Sequence, residues 1–247
     1  MEISKYSLPT HGRLQCSRCF DGPVVWGHTR IEDDGWRLLN NPMSWGASDP
    51  RFLLLGFSKG SRQADIALTA PHEAVPFNGF RPRLDEGLRL LGLFDANETV
   101  DQHLHANEQD WAFGSIVRCT VEKKNLGTGK FEKSGDIIPA SAKRGAGKDW
   151  IGQCVSQHLS ILTQRLETVI LLSNDDAYVD ACFNALHATH PQIRRINDVS
   201  YGDCQTIWVH IVHFGGQGFN HMQSWLSGSA NRQGDKMRAA KAALAAR

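Results

Sequence analysis

The chain has 247 residues, of which 41% are hydrophobic and 21% are charged, and this composition supports a buried core and excludes extensive disorder. Its 27 basic and 26 acidic residues give a formal net charge of +1, so a polyanionic partner would need a local basic patch. The sequence shows no apolar run of the ~18 residues that a membrane span needs and no targeting signal. We therefore predict a cytoplasmic, monomeric, single-domain protein over residues 1–247 with no membrane partner.

The first fifty residues are rich in glycine, proline, tryptophan and aspartate and show little periodicity. Cys16 and Cys19 lie there with a C-x2-C spacing, which allows two thiolates to bind one metal centre. We predict that residues 1–50 form an irregular, cysteine-bearing segment that a bound metal holds in place.

Four short apolar runs have the pattern of parallel strands that are buried on both faces. They are residues 51–57, 111–119, 168–173 and 206–213. Apolar residues recur at helical spacing near residues 84–91 and over residues 151–166, and Asn174 or Asp175 is suited to cap the helix after the third strand. The alternation predicts an α/β fold, a three-layer α/β/α sandwich around a central four-stranded parallel sheet.

Ligands of such sheets bind beyond the carboxyl ends of the strands, so the loops there are the candidate sites. Glycine-rich loops follow the first strand, at residues 56–60, and the last strand, at residues 214–221. Residues 122–149 are polar and rich in lysine, which predicts an inserted basic loop. Residues 232–247 are rich in alanine and basic residues, which predicts a C-terminal basic helix.

Four cysteines form a candidate metal-binding set, and they are Cys16, Cys19, Cys119 and Cys154. Their thiolates suit either zinc or an iron–sulfur cluster, and spacing alone does not choose between the two. The alternative is that the C-x2-C pair binds zinc with His11 or His28 while the other two thiols are small buried side chains. Cys182 and Cys204 are predicted to serve packing only.

The order of these features resembles the iron–sulfur branch of the uracil-DNA glycosylase superfamily, families 4 and 5. The matching segments, in chain order, are the C-x2-C pair Cys16 and Cys19, residues 53–60, residues 76–79 (Pro-Phe-Asn-Gly), residues 116–119 (Ile-Val-Arg-Cys), Cys154 and a last motif that opens with His213. They span roughly residues 14 to 226, most of the chain. Each motif is weak alone, and the shared order makes the resemblance specific.

The resemblance implies a DNA repair enzyme that hydrolyses the N-glycosidic bond of uracil or a related deaminated base and leaves an abasic site. It implies a structural [4Fe-4S] cluster on the four cysteines of the candidate set, with zinc as the alternative metal. It also implies that Phe77 stacks on the base and that His213 stabilises the departing base.

Further contacts to the base and to DNA are implied along the loops of the site. The residues concerned are Gly56, Phe57, Ser58, Lys59, Ser115, Gln217 and Asn220. The basic loop 122–149 and the basic helix 232–247 would contact phosphates, which gives affinity without sequence selectivity.

The chain departs from the family pattern at three positions. Phe57 and Phe80 stand where the family usually has a water-positioning carboxylate or Asn, and Ser115 stands where an Asn often reads uracil. Asn78 and Asp65 are the nearest polar replacements, and we predict that both belong to the catalytic set. The departures fit either a glycosylase with a different base preference or a non-catalytic DNA-binding or damage-sensing relative. A third alternative, from another class, is a zinc-stabilised scaffold with no role on DNA.

Overall fold

The structure, a computed structural model, describes residues 7–132, 137–142, 149–215 and 219–246. The described strands, in chain order, are β1 (Gly12–Arg13), β2 (Arg30–Asp33), β3 (Trp36–Leu39), β4 (Met43–Gly46), β5 (Phe52–Gly56), β6 (Trp111–Ser115), β7 (Thr120–Lys124), β8 (Phe131–Glu132), β9 (Thr168–Leu172), β10 (Arg194–Asn197), β11 (Ser200–Gly202) and β12 (Ile207–Ile211). They form a main sheet of eight strands in the order β1-β4-β6-β5-β9-β12-β11-β10 and a smaller sheet in the order β2-β3-β7-β8.

The main sheet is mixed, and its centre is parallel. Strands β6, β5, β9 and β12 run parallel, whereas β1, β4, β11 and β10 pair antiparallel at the two sides. The predicted three-layer α/β/α sandwich with a four-stranded parallel sheet is therefore wrong. The flanking strands escaped prediction because they are short or polar: β1 has two residues, and Arg194, Arg195 and Ile196 of β10 are all exposed.

The smaller sheet covers part of one face of the main sheet, and it corrects two further predictions. Trp36, Leu38 and Val121 are buried in the same apolar cluster as Leu53 of β5. The N-terminal fifty residues are thus not irregular throughout, since they supply strands β1 to β4. The predicted loop 122–149 includes most of the β7–β8 hairpin, and parts of it lie outside the described residues.

Helices pack on both faces of the main sheet. They are α1 (Ser61–Ile66), α2 (Arg81–Leu90), α3 (Ile137–Ala142), α4 (Trp150–His158), α5 (Asp176–Thr189), α6 (Phe219–Leu226) and α7 (Arg232–Ala245), with 3-10 turns at His72–Ala74 and Val100–His103. Helices α4 and α5 share the core of the smaller sheet, and α2, α6 and α7 pack on the other face. No described helix is both long enough and apolar enough to cross a membrane.

Helix ends follow the local chemistry of the chain. The Asp175 carboxylate accepts a hydrogen bond from the Tyr178 amide at 3.2 Å and so caps α5, as the sequence predicts. Asn231 caps α7 in the same way, through the amide of Gln233 at 3.0 Å. The predicted C-terminal helix 232–247 corresponds to α7. The helix predicted over 151–166 is shorter, because α4 ends at His158.

Candidate functional site

A cleft of about 1130 Å³ opens at the carboxyl ends of the four central strands. Parallel strands end at the same edge of a sheet, so the segments that follow β5, β6, β9 and β12 meet there. The cleft is lined by most of the predicted base-contacting positions, which are Gly56, Phe57, Ser58, Lys59, Phe77, Asn78, Ser115 and His213. Segments that are far apart in the sequence therefore form one site.

Phe77 lies in the cleft with a backbone conformation that is unfavourable for its side chain. Its φ angle is +53°, in the left-handed region that favours glycine, and its side chain is only 4% exposed. The ring makes edge contacts to Phe80 and Phe113, with centroids 5.9 and 6.0 Å away. Strain of this kind concentrates at functional sites, because the surrounding structure must hold it. Most of the Phe77 ring therefore packs in the core, and the part that lines the cleft is held in place for contact with a planar ligand.

His213 follows β12 and is half-buried beside Phe80, with ring centroids 5.2 Å apart. Its Nδ1 lies 3.0 Å from the amide nitrogen of Gly215 and 3.2 Å from that residue's carbonyl oxygen. An amide can only donate, so the shorter contact requires Nδ1 to accept and places the ring proton on Nε2. Burial lowers the pKa of His213, which favours this neutral imidazole. The side chain is thus prepared to donate one hydrogen bond from Nε2.

Asn78 is held beside the Phe77 ring by its own side chain. Its Nδ2 donates to the Ala74 carbonyl at 3.1 Å, which fixes the orientation of the amide and leaves Oδ1 as the acceptor group. Ser115, at the end of β6, is 6% exposed and lies near Gly56 on the neighbouring strand. Both side chains offer hydrogen bonds to a ligand in the cleft.

Three predicted residues lie elsewhere or outside the described chain. Asp65 is exposed on the short helix α1 and does not line the cleft. Asn220 lies in the first turn of α6, and Gln217 falls outside the described residues. The structure therefore brings His213 and Asn78 together but not Asp65.

Phe57 and Lys59, predicted as base contacts, are both largely buried. The Phe57 ring makes an edge contact with Tyr178 of α5 at 5.8 Å between centroids, so much of it serves the core. Lys59 is 1% exposed, and its Nζ donates to the carbonyl of Arg118. Neither side chain is freely available at the surface of the first loop.

The segment that follows β9 also lines the cleft, and the sequence does not predict it as part of the site. Ser173 has a φ of +117°, and Asn174 is buried with its Nδ2 donating to Gln233 at 2.8 Å. Asp176 binds the ammonium of Lys236 at 2.7 Å and also pairs with Arg232. The available signal is position: these polar residues directly follow a buried strand, as the first loop does, whereas the cap pattern of Asn174 and Asp175 predicts only the start of a helix.

The four cysteines of the candidate set lie in one neighbourhood. The Cys19 thiol donates to Gln153, next to Cys154, at 3.0 Å, and the Cys154 sulfur accepts from the Arg118 amide, next to Cys119. Cys154 also acts electrostatically on Cys19 and Cys119 and is itself affected by Cys16. Even so, no three His, Cys, Asp or Glu side chains of the described ranges stand together as a ready metal site.

The chemistry of this thiol set fits a thiolate-bound metal. Burial raises the pKa of Cys19 and Cys119 to about 12 and that of Cys154 to about 11, and the neighbouring thiols add to each rise. The Lys59 ammonium and the Arg118 guanidinium already oppose this rise, and a metal cation bound among the sulfurs would favour their ionised form further. The guanidinium nitrogen Nη1 of buried Arg118, which has no hydrogen-bond partner, points to a missing negative charge nearby.

The remaining candidate ligands do not join the thiol set. His11 accepts from the Gly46 amide at 3.2 Å and contacts Glu73 at 3.4 Å. His28 is exposed. Cys182 is fully buried, as predicted for a packing residue, whereas Cys204 is exposed and that prediction is wrong.

No protein-family model matches the chain, and no curated protein sequence matches it either. The case for function therefore depends on the residues of the cleft and of the thiol set.

Proposed function

We propose that this chain is a DNA glycosylase-like hydrolase that cleaves the N-glycosidic bond of uracil or a related deaminated base and leaves an abasic site. The observation that carries the proposal is the convergence of Phe77, Asn78 and His213 in one cleft at the strand ends. Phe77 and Asn78 belong to one motif and His213 to another that is far away in the sequence, and together they supply the stacking face, the acceptor and the donor that recognition of a base requires.

Each residue has a defined task in the proposed reaction. The base leaves the helical stack and lies against the Phe77 ring, while Asn78 accepts a hydrogen bond from its edge. As the C1′–N bond breaks, its electron pair moves onto the base, and the Nε2–H of His213 donates to the carbonyl oxygen where the charge accumulates. A water oxygen forms the new bond to C1′ and keeps one of its hydrogens as the sugar hydroxyl, while its other proton goes to the base anion and neutralises it.

The cleft accommodates more than a base. Its volume of about 1130 Å³ exceeds the roughly 300–1,000 Å³ of a typical small-molecule pocket, which leaves room for flanking nucleotides. Arg62 and Arg83 line its wall beside Gly79, and Arg232 lies on the other side. These cations suit the phosphates of a polyanion. When bound, a metal centre on the thiol set would tie the N-terminal segment to α4 and to the turn between β6 and β7.

An excision assay tests the proposal. The protein is incubated with single- and double-stranded oligonucleotides that contain uracil or another deaminated base, and the products are then treated with alkali, which breaks abasic sites. We expect strand breaks from the wild type and a rate about 10²- to 10³-fold lower for His213→Ala, the usual effect of losing one oxyanion donor. His187→Ala is the matched control, because His187 is also half-buried, contacts a backbone oxygen through Nδ1 and stacks on a phenylalanine.

The second candidate is a protein that binds damaged DNA without cleaving it. Phe57 and Phe80 occupy the expected water-positioning places, and the described cleft carboxylates are engaged: Asp175 in a helix cap and Asp176 in ion pairs. Retention of a deaminated oligonucleotide without strand breaks supports this candidate and contradicts the hydrolase. Unchanged cleavage by His213→Ala removes that residue from the reaction.

A further inference from the structure

Two buried cations lie between the cleft and the thiol set. Lys59 and Arg118 are 1% and 2% exposed, and the Lys59 ammonium donates to the Arg118 carbonyl. Neither side chain forms an ion pair with a carboxylate in the described residues, and Nη1 of Arg118 has no hydrogen-bond partner. Burying two positive charges without a negative partner is strongly unfavourable, so the fold must supply compensation of another kind.

The groups that face these cations are thiols. Cys119 and Cys154 act electrostatically on Lys59, and Cys154 acts on Arg118. The Lys59 ammonium donates to the carbonyl of Arg118, the residue directly before Cys119, and the Cys154 sulfur accepts from the Arg118 amide, so both sulfurs lie close to this pair of cations. The side chains therefore gain most when the sulfurs beside them are ionised.

Lys236 shows what the same fold does with an ordinary buried ammonium. It is 7% exposed and its Nζ also donates to a backbone carbonyl, that of Asn174. A carboxylate oxygen of Asp176 lies 2.7 Å away and supplies the opposite charge. Lys59 is more deeply buried and likewise donates to a backbone carbonyl, but thiols lie where Lys236 has its carboxylate. This contrast marks the thiol set as the anionic partner of Lys59.

Charge balance gives the class of centre. Four thiolates around a doubly charged zinc ion or iron–sulfur core carry a net charge of about −2. The two buried cations, Lys59 and Arg118, match that charge. A neutral set of four protonated thiols would leave both cations uncompensated.

We propose that Lys59 and Arg118 are positioning residues that compensate an anionic four-thiolate metal centre, and that Lys59 couples this centre to the first loop of the cleft. The inference rests on the proposed function for the metal centre itself, and it adds residues outside the thiol set. Lys59 is suited to the coupling because it both lines the cleft and faces Cys119 and Cys154.

Metal retention in the purified full-length chain tests this role. Zinc and iron are quantified in the protein as isolated, and the rate at which a chelator removes the metal is followed. We expect Lys59→Gln, which keeps a donor for the Arg118 carbonyl but loses the charge, to release metal about 10- to 100-fold faster, as loss of a residue that supports metal ligands usually does. Lys59→Arg keeps the charge and should release it at a rate near that of the wild type.

Two further variants make the test independent of one substitution. Arg118→Met should accelerate release as Lys59→Gln does, which covers the case in which either protein alone fails to fold. Lys236→Met is the matched control, because it removes another buried ammonium, one that has its own carboxylate partner, and its release rate should not change.

The outcomes separate this inference from the proposed function. Wild-type release rates in both Lys59→Gln and Arg118→Met, with metal lost in Cys119→Ser, overturn the compensating role and leave the metal centre intact. A wild type without zinc or iron overturns the compensating role together with the metal centre. Base excision is measured separately on the same samples, so loss of either inference does not decide the reaction.

Discussion

The two edges of the main sheet treat their polar residues in opposite ways. At the amino edge, before the central strands begin, His103 contacts Glu98 at 2.8 Å and Glu108 at 2.9 Å. Glu108 also accepts backbone hydrogen bonds from Asp110 and Trp111 at the start of β6. Ion pairs of Arg51 with Glu167 and of Arg165 with Asp110 complete this edge. These polar side chains at the amino edge thus form hydrogen bonds or ion pairs with one another.

At the carboxyl edge, side chains retain donors or acceptors that are not hydrogen-bonded, and the backbone is strained. His213 uses one ring nitrogen, and Phe77 and Ser173 have positive φ angles. The described chain has only one other non-glycine residue with a positive φ, Asp34 in the β2–β3 turn, so strain concentrates at the cleft. The contrast shows that hydrogen-bond saturation, and not residue type, distinguishes His103 at the amino edge from His213 in the cleft.

Glu108→Ala should produce the largest change in stability. The substitution leaves His103 and several amides at the amino edge without their acceptor, and we expect the free energy of unfolding to fall by about 3 kcal/mol in urea titrations. Glu98→Ala, which removes a more exposed partner of the same histidine, should lower it by about 1 kcal/mol. In both variants the rate of base excision per folded molecule should stay at the wild-type value. A loss of excision without a loss of stability would show that the amino edge takes part in the reaction.

His210 sharpens the comparison through pH. It lies three residues before His213 on β12, is fully buried, and bonds the Ser173 carbonyl and the Tyr201 hydroxyl at 2.9 Å each. Burial lowers its pKa to about 3. Below about pH 6.5, therefore, the His210 imidazole binds a proton in the unfolded chain but stays neutral in the folded chain. The stability that neutral His210 contributes is therefore present above pH 6.5 and is lost as the pH falls toward 3.

From His210 alone, unfolding free energies should decline by about 2 kcal/mol between pH 6.5 and pH 5. His158, whose pKa burial also lowers to about 3, adds to the decline. In His210→Asn the dependence on pH should be shallower by that amount. An identical slope in the variant would show that His210 is not held neutral.

Ser173→Gly should give the smallest effect and one of opposite sign. The φ of +117° at Ser173 is strained for any L side chain, and glycine adopts it freely. We expect the free energy of unfolding to rise by about 1 kcal/mol in the same titrations. Ser173→Ala keeps the strain and serves as the control; a gain in that variant as large as in the glycine variant would show that the backbone is relaxed.

The central strands of the main sheet could be predicted from the sequence, but its edge strands could not. Continuous apolar runs such as Phe52–Gly56 and Thr168–Leu172 are readable because a strand buried on both faces needs no polar residue. The edge strand Arg194–Asn197 has no such pattern, since its pairing is decided by the neighbouring Ser200–Gly202 and not by its own side chains. The antiparallel pairing at the two sides of the main sheet could therefore not be predicted from the sequence.

The candidate site was predictable to the same extent. Phe77 and His213 are predicted from the family resemblance, through residues 76–79 and the last motif, and the fold places both at the cleft. Asp65 was expected to turn inward, but the loop after β5 forms the helix α1 and carries that carboxylate to the surface. The burial of Lys59 against the thiol set depends on contacts between distant segments, which no local pattern encodes.

Histidine NMR during a titration with free uracil tests the central claim most directly. With ¹⁵N-labelled histidine, each imidazole reports its own hydrogen bonds, and His213, His210 and His103 represent the cleft, the strand interior and the amino edge. The account predicts saturable shifts of the His213 nitrogens, led by Nε2, with His210 and His103 unchanged. Shifts at His103 with none at His213 would contradict it.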